Sequence, residues 1–265
     1  MAKKKVRAGL GKLGSKLLSN LSAENKEVFT IRDAETALKI NGLRLRKLLY
    51  SLTKSRWIKR IERGKYLILP LEMHAGYGAD PYTLARKLVS PYYVGFLSAL
   101  NYYGITEQIS RTTFIVTTKI KRPLHFQAQD YHFVKLPEKR FFGVIEEWAG
   151  QLKFNISNRE KTIIDCLFLP KYSGGLTEVV KAFRGNLDFE KLYDYAVEMD
   201  DLATLKRLGY ILDILKIKTP IVKKMLKEVR GGYCLLDTGG SKTGPKNKKW
   251  KIIENMPKEE LMVEL

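Results

Sequence analysis

Basic side chains alternate with leucines between residues 43 and 54. Arg44, Arg46, Lys47 and Lys54 lie among apolar residues that recur at short steps, namely Leu43, Leu45, Leu48, Leu49 and Leu52. This spacing predicts an amphipathic helix with one apolar and one cationic side. Guanidinium and ammonium groups on such a helix can reach base edges and phosphates in the major groove of DNA. We take the four cations as candidate DNA-binding residues.

A short basic hairpin follows this helix. Residues 57–61 and 65–69 have the composition of strands, and Glu62-Arg63-Gly64 supplies a turn between them. Glycine favours the positive φ that such a turn requires. Arg63 and Lys65 flank the tip, where extended side chains could contact the sugar-phosphate backbone or the minor groove. Both residues join the candidate DNA-binding set.

The histidines and cysteines do not have the spacing of a metal site. His74, His125 and His132 are scattered without an HExxH-like pattern, and Cys166 and Cys234 each lie inside an apolar run. Two separate cysteines also offer no disulfide framework, so we interpret both as reduced core residues. The sequence therefore implies neither a bound metal nor a cofactor.

Two carboxylates leave an enzymatic alternative open. Glu160 and Asp165 could hold a divalent ion in a metal-dependent DNA-processing enzyme. Five residues apart, they would point about 140° away from each other on a helix, which is poor geometry for sharing one ion. The pattern favours a structural helix that is capped by Ser157 or Asn158 and buries its apolar residues.

Two further basic stretches have no assigned role. Lys3, Lys4, Lys5 and Arg7 could form an arm along DNA, as in homeodomains, or a solvated tail. The loop from Gly239 to Lys249 contains Gly-Gly-Ser-Lys-Thr-Gly, yet it lacks the GxxxxGK[ST] spacing and no helix follows it. We do not expect a nucleotide-binding loop there.

The elements before the basic helix complete a recognisable order. Apolar residues between Leu10 and Leu21 recur with helical periodicity, and Thr30 is a plausible cap for a second short helix. Asn41-Gly42 ends that helix before the basic one begins. Helix, helix, basic helix and hairpin is the order of a winged helix-turn-helix domain, which we assign to residues 1–79.

The remainder, residues 80–265, predicts a larger domain that mixes helices with a small antiparallel sheet. Helices are expected at 82–88, 92–103, 160–168, 176–183, 189–199, 203–215 and 220–229, and strands at 113–117, 125–126, 131–136 and 152–157. Strands at 233–236 and 250–253 would form a C-terminal hairpin around the basic loop. Segregated helices and strands indicate the α+β class.

Composition supports a nucleic-acid partner. The 265 residues include 48 Lys and Arg against 28 Asp and Glu, a net charge of +20, and residues 1–79 alone hold 18 basic and 6 acidic side chains. Such an excess favours polyanions. The longest apolar stretches, such as 92–100, are too short to span a bilayer. No apolar signal segment follows the basic N-terminus, so we expect a cytoplasmic protein without membrane contact.

Four segments of the second domain follow one another in a particular order: Phe96–Gln108, Ser157–Asp165, Gly174-Gly175 and Lys206–Tyr210. Together they resemble the AbiE-type antitoxin family, the regulators of type IV toxin-antitoxin and phage-defence loci. With the N-terminal domain, the resemblance covers residues 25–215. It does not include the C-terminal segment from Thr219.

The family resemblance implies a function in two parts. The N-terminal winged helix would bind double-stranded DNA in the protein's own promoter and repress its operon. The second domain would neutralise a cognate toxin, a nucleotidyltransferase-like protein encoded next door. Two alternatives remain: the metal-dependent DNA-processing enzyme described above, and a solitary winged-helix regulator without a toxin.

Overall fold

The chain divides into two compact units, Met1–Ala79 and Asp80–Leu265. The computed structural model describes residues 9–69, 80–126, 128–150 and 152–262. The basic residues Lys3, Lys4, Lys5 and Arg7 and the histidine His74 therefore lie outside the described residues. Helices and strands occupy largely separate stretches, and the protein is α+β in class.

The first unit combines three helices with a three-stranded sheet. Its elements are α1 (Gly11–Ala23), β1 (Val28–Thr30), α2 (Ile31–Leu38), α3 (Gly42–Lys54), β2 (Ile58–Glu62) and β3 (Lys65–Ile68). The sheet has the order β1-β3-β2 and both pairings are antiparallel. The three helices and the hairpin agree with the sequence prediction, whereas β1 was not predicted because three residues are too few to show a period.

Local chemistry sets where these elements begin and end. Thr30 caps α2: its hydroxyl accepts from the Asp33 N–H at 3.2 Å, and the Asp33 carboxylate accepts from the Thr30 N–H at 2.8 Å. Asn41 lies in extended conformation immediately before α3. Gly64 has a φ of +76° at the tip of the hairpin, as the turn prediction required.

The main sheet of the second unit is mixed, not small and antiparallel as the sequence predicted. Its strands are β4 (Tyr93–Val94), β5 (Thr112–Thr117), β6 (Leu124–Phe126), β7 (Gln129–Lys135), β8 (Val144–Ala149) and β9 (Leu152–Ser157), in the order β6-β7-β5-β4-β9-β8. The pairs β5–β7 and β4–β9 are parallel. The edge strand β8 was not predicted, because charged residues such as Glu146 and Glu147 obscure its pattern, as is common at sheet edges.

Eight helices of this unit lie within the described residues. They are α4 (Pro81–Leu88), α5 (Phe96–Tyr102), α6 (Arg159–Phe168), α7 (Leu176–Lys181), α8 (Phe189–Glu198), α9 (Leu202–Ile214), α10 (Ile221–Glu228) and α11 (Lys258–Met262). The predicted helix at 92–103 is wrong in its first part, where β4 precedes α5. A short apolar run suits a buried strand as well as a helix, and periodicity cannot separate the two. Of the helices described, none has the length and apolarity to cross a membrane.

The C-terminal region forms a second, small sheet instead of the predicted hairpin. Its strands are β10 (Cys234–Leu235), β11 (Lys246–Asn247) and β12 (Ile252–Ile253). The sheet has the order β10-β12-β11: the two strands that the sequence paired, β10 and β12, run parallel, while β11 lies antiparallel to β12. The connection is long enough to reverse the chain and to contribute a strand of its own, so the simple hairpin prediction failed.

This small sheet is attached to α9 by a buried tryptophan. Trp250 is 0% exposed, and a Cβ built on Gly209 would lie 2.1 Å from its ring. The indole N–H donates to the Asp213 carboxylate at 2.9 Å, and the Lys249 ammonium pairs with the same carboxylate at 2.6 Å. Glycine at position 209 therefore leaves the space into which the indole ring packs.

We expect Gly209→Ala to destabilise the protein, although alanine is otherwise the better helix former by about 1 kcal/mol. The added methyl group would overlap the Trp250 ring, and overpacking of this kind typically costs about 1–3 kcal/mol. Denaturant unfolding measures the change. Gly232→Ala is the control, because no atom lies within 4 Å of its Cβ position. A Gly209→Ala protein as stable as the unaltered one would contradict the proposed packing.

Candidate nucleic-acid interface

One side of α3 is buried in the core of the first unit. Leu45, Leu49 and Leu52 are at most 3% exposed and belong to one cluster with Leu17 of α1 and Phe29 of β1. The helices α1 and α3 approach closely, since a Cβ on Gly14 would lie 3.0 Å from the Leu52 Cδ2. With this side buried, the opposite side of α3 must face solvent.

The predicted cations lie on that exposed side. Arg44, Arg46, Lys47 and Lys54 are all exposed. Residues two apart differ by about 200° around a helix, so Arg44 and Arg46 lie on opposite edges of the exposed side. Lys47 and Lys54 are two turns apart and lie near its middle. The structure thus presents the four cations on one helix surface, with the two arginines well separated.

Two apolar residues lie on the same surface, and the sequence analysis did not place them there. Leu43 is 74% exposed and Tyr50 is 71% exposed. Leu43 was assigned to the inward stripe, which is wrong: it lies about 160° around the helix from Leu45. Counting the angle for each leucine separately would have revealed this. Leu43, Lys47, Tyr50 and Lys54 form one line along the exposed side, at alternating steps of four and three residues.

The hairpin presents its two cations differently. Arg63 is exposed at the tip, beside Gly64. Lys65 is half-buried, and its ammonium lies 3.7 Å from the carboxylate of Glu62. A contact of Lys65 with phosphate would have to compete with this pairing. Of the two predicted hairpin residues, Arg63 is therefore the more accessible.

The carboxylates of the enzymatic alternative belong to ion pairs. Asp165 is buried and accepts from the Lys161 ammonium at 2.5 Å and from the Tyr93 hydroxyl at 2.8 Å. Burial raises the pKa of Asp165, and its interactions with Lys161 and Tyr93 oppose that rise. The Lys161 ammonium also lies 4.2 Å from the centre of the Phe142 ring. This arrangement connects α6 with β4 inside the core.

Glu160 is engaged elsewhere. It is 8% exposed, and its carboxylate lies 3.1 Å from the Lys191 ammonium of α8. The cap of α6 is the Asn158 side chain, one of the two residues that the sequence proposed. In the part of the chain that the structure describes, no group of three or more His, Cys, Asp or Glu side chains could hold a metal ion. The two acids thus have structural partners and do not converge.

We expect Asp165→Asn to destabilise the second unit, because it leaves the Lys161 charge buried without a counterion. Breaking a buried pair on one side typically costs about 3–5 kcal/mol. The double variant Lys161→Met/Asp165→Leu should cost less, since it removes both charges. Denaturant unfolding measures each change.

The control is Asp200→Asn, whose partner Lys139 lies on the surface with it. Removing a solvent-exposed pair should leave stability unchanged within error. If Asp165→Asn changes the free energy of unfolding as little as this control does, the buried pair does not stabilise the fold.

Comparison with known proteins informs the fold. No protein-family model and no curated protein matches this chain. The crystal structure of the Rv2827c protein from Mycobacterium tuberculosis is similar, with a TM-score of 0.64 over 95% of this chain and 94% of that chain. The two sequences are 14% identical. A similarity at this identity establishes a shared fold and carries no function with it.

The residues behind the AbiE-type resemblance lie mostly in the interior. Within Phe96–Leu100 no residue is more than 7% exposed, and Lys206–Tyr210 is buried as well. Arg207 donates to backbone carbonyls of Leu167 and Leu235 at 2.8 and 3.0 Å. These two stretches therefore serve core packing, whereas Glu107, Gln108, Arg159 and Gly174 of the resembling segments are exposed. The toxin neutralisation that the resemblance implies stays a prediction.

Proposed function

We propose that this protein is a transcriptional regulator that binds duplex DNA through its first unit, used as a winged helix-turn-helix. The basic exposed side of α3 would enter the major groove, and the β2–β3 hairpin would lie beside it as the wing. The observation that carries the proposal is the surface of α3. Its buried leucines leave four cations and two apolar side chains facing solvent.

Charge supports a polyanionic partner for this unit. Residues 1–79 carry a net charge of +12, more than half of the total of +20. Lysines and arginines that neutralise phosphates release counterions, which makes binding depend on salt. With four to six phosphate contacts, the slope of log affinity against log salt would be about −4 to −5.

The composition of the α3 surface suits reading of base edges. Arginine can donate two hydrogen bonds to guanine, and apolar side chains can contact the methyl group of thymine. Arg44 and Arg46 lie on opposite edges, so they would reach different base pairs. Leu43 and Tyr50 lie between them and would contact thymine methyl groups or sugar carbons. Lys47 and Lys54 lie near the middle of the same side and would reach base edges or phosphates, while Arg63 would contact the phosphate backbone and position the helix.

The site of action that we propose is the protein's own promoter. This part rests on the AbiE-type resemblance, which implies autorepression of the operon. Binding there, and the loss of transcription that follows, would distinguish a regulator from a protein that coats DNA without preference.

Replacing Arg44 and Arg46 together with alanine should abolish the preference for promoter DNA. Fluorescence anisotropy at near-physiological salt would compare the protein's own upstream duplex with a scrambled duplex of the same length. We expect the unaltered protein to bind its own sequence about a thousandfold more tightly. Each specific base contact that is lost should weaken binding by about 1–3 kcal/mol.

Lys12→Ala/Lys16→Ala is the matched control. It removes two exposed cations from the same unit, on α1 instead of α3. This variant should keep the preference for the promoter and lose only a small, sequence-independent part of the affinity. Equal affinity of the unaltered protein for both duplexes would overturn the proposal.

Leu43→Ala should separate recognition from folding. Because Leu43 is largely exposed, we expect its removal to change the free energy of unfolding by less than about 0.5 kcal/mol. Affinity for promoter DNA should fall, while affinity for the scrambled duplex should not. Leu45→Ala is the comparison, since truncation of a buried leucine to alanine typically costs about 2–5 kcal/mol of stability. A Leu43→Ala protein with unchanged promoter affinity would exclude Leu43 from the interface.

A further inference from the structure

The cationic excess of the second unit comes from a single stretch of the chain. Residues 216–251, here named the C-terminal basic segment, contain 11 basic and 2 acidic side chains. The rest of residues 80–265 holds 19 basic and 20 acidic side chains and is almost neutral. The charge of this unit is therefore concentrated in one segment.

Most of these cations do not pair with acidic side chains. Three of them do: Lys224 with Glu190, Arg230 with Glu228 and Lys249 with Asp213. Within the described ranges, eight have no carboxylate partner, namely Lys216, Lys218, Lys223, Lys227, Lys242, Lys246, Lys248 and Lys251. Seven of the eight are exposed, and Lys251 is half-buried. The segment thus keeps a large uncompensated charge at the surface.

The long loop of this segment is held in place by the protein. The Asn255 amide donates to the carbonyls of Asp237 at 2.7 Å and Ser241 at 2.5 Å, and its oxygen accepts from the Asp237 N–H at 2.9 Å. A Cβ on Gly244 would lie 2.5 Å from the Glu254 carbonyl oxygen, so the loop runs directly over that backbone. Lys242 is exposed within this anchored loop.

The small sheet orients further cations outward. Ile252 is buried, and its neighbour Ile253 pairs with Lys246, so the Lys246 side chain lies on the outer face. Its ammonium lies 5.3 Å from the centre of the Tyr233 ring, which is itself 40% exposed. Lys248 is exposed just before the buried Trp250. Lysines 242, 246 and 248 are thus carried by a fixed scaffold.

We propose that the C-terminal basic segment is a second nucleic-acid contact that binds the phosphate backbone of duplex DNA without reading its sequence. Lysine ammonium groups are point charges on flexible stems, which suits phosphates at variable positions. Fixed loops that present such charges can follow a regular polyanion. This inference rests on the proposed function, since it adds affinity to the recognition by α3.

The test replaces Lys242, Lys246 and Lys248 with glutamine in the full chain. Anisotropy is measured against salt concentration, with the promoter duplex and with the scrambled duplex. We expect the affinity for both duplexes to fall by the same factor. The slope of log affinity against log salt should become smaller by about 2 to 3, since each lost phosphate contact contributes about 0.9.

The matched control is Lys119→Gln/Lys135→Gln/Lys171→Gln, which removes three exposed cations from the same unit outside the segment. It changes the net charge equally and should leave the salt slope unaltered. If both triple variants change the slope alike, or if neither does, the inference is overturned.

The outcome also separates this inference from the proposed function. If the Lys242/Lys246/Lys248 variant keeps its promoter preference and its salt slope is unchanged, the second contact is refuted and the proposed regulator stands. An acidic protein would then be the partner of the segment. If the variant has a reduced salt slope but the unaltered protein shows no preference for the promoter, the second contact is supported and the proposed regulator is refuted. No DNA binding at all by the unaltered protein overturns both.

Discussion

The burial of three leucines of α3 is the constraint on which the proposed interface depends. Leu45, Leu49 and Leu52 pack with α1 and with Phe29 of β1, and this packing determines the rotation of α3 about its axis. Once the rotation is set, the cations and the two apolar side chains opposite must face solvent. The cap at Thr30 and the turn at Gly64 place the neighbouring elements so that this core can close.

In the second unit, the charged side chains of the interior and those of the surface have different roles. In its interior, Lys161 and Asp165 neutralise each other and Arg207 satisfies backbone carbonyls, so buried charge serves the fold. At its surface, the C-terminal basic segment keeps cations without acidic partners. Trp250 joins the interior to the basic segment, because its ring packs against Gly209 and so attaches the sheet of β10, β11 and β12 to α9. A structural role for the interior and a binding role for the surface are therefore compatible in one unit.

The accuracy of sequence reasoning differed between the two units for a physical reason. In the first unit, helical periodicity, a capping threonine and a turn glycine are local signals, and all three predicted helices and the hairpin occur. In the second unit, β4 was taken for helix, β8 was not found, and β10 and β12 were given the wrong relative direction. Strand pairing depends on partners far along the chain, and a single sequence does not reveal them.

The sequence by itself determined that the protein is α+β, strongly basic and equipped with a cationic amphipathic helix, because composition and short-range periodicity are properties of the chain alone. Only the tertiary structure decided that Asp165 is buried against Tyr93 of β4 and that β10 runs parallel to β12. It also decided that Glu160 and Asp165 have separate partners. These outcomes depend on which side chains meet across the fold, and such meetings follow from packing over long distances in the sequence.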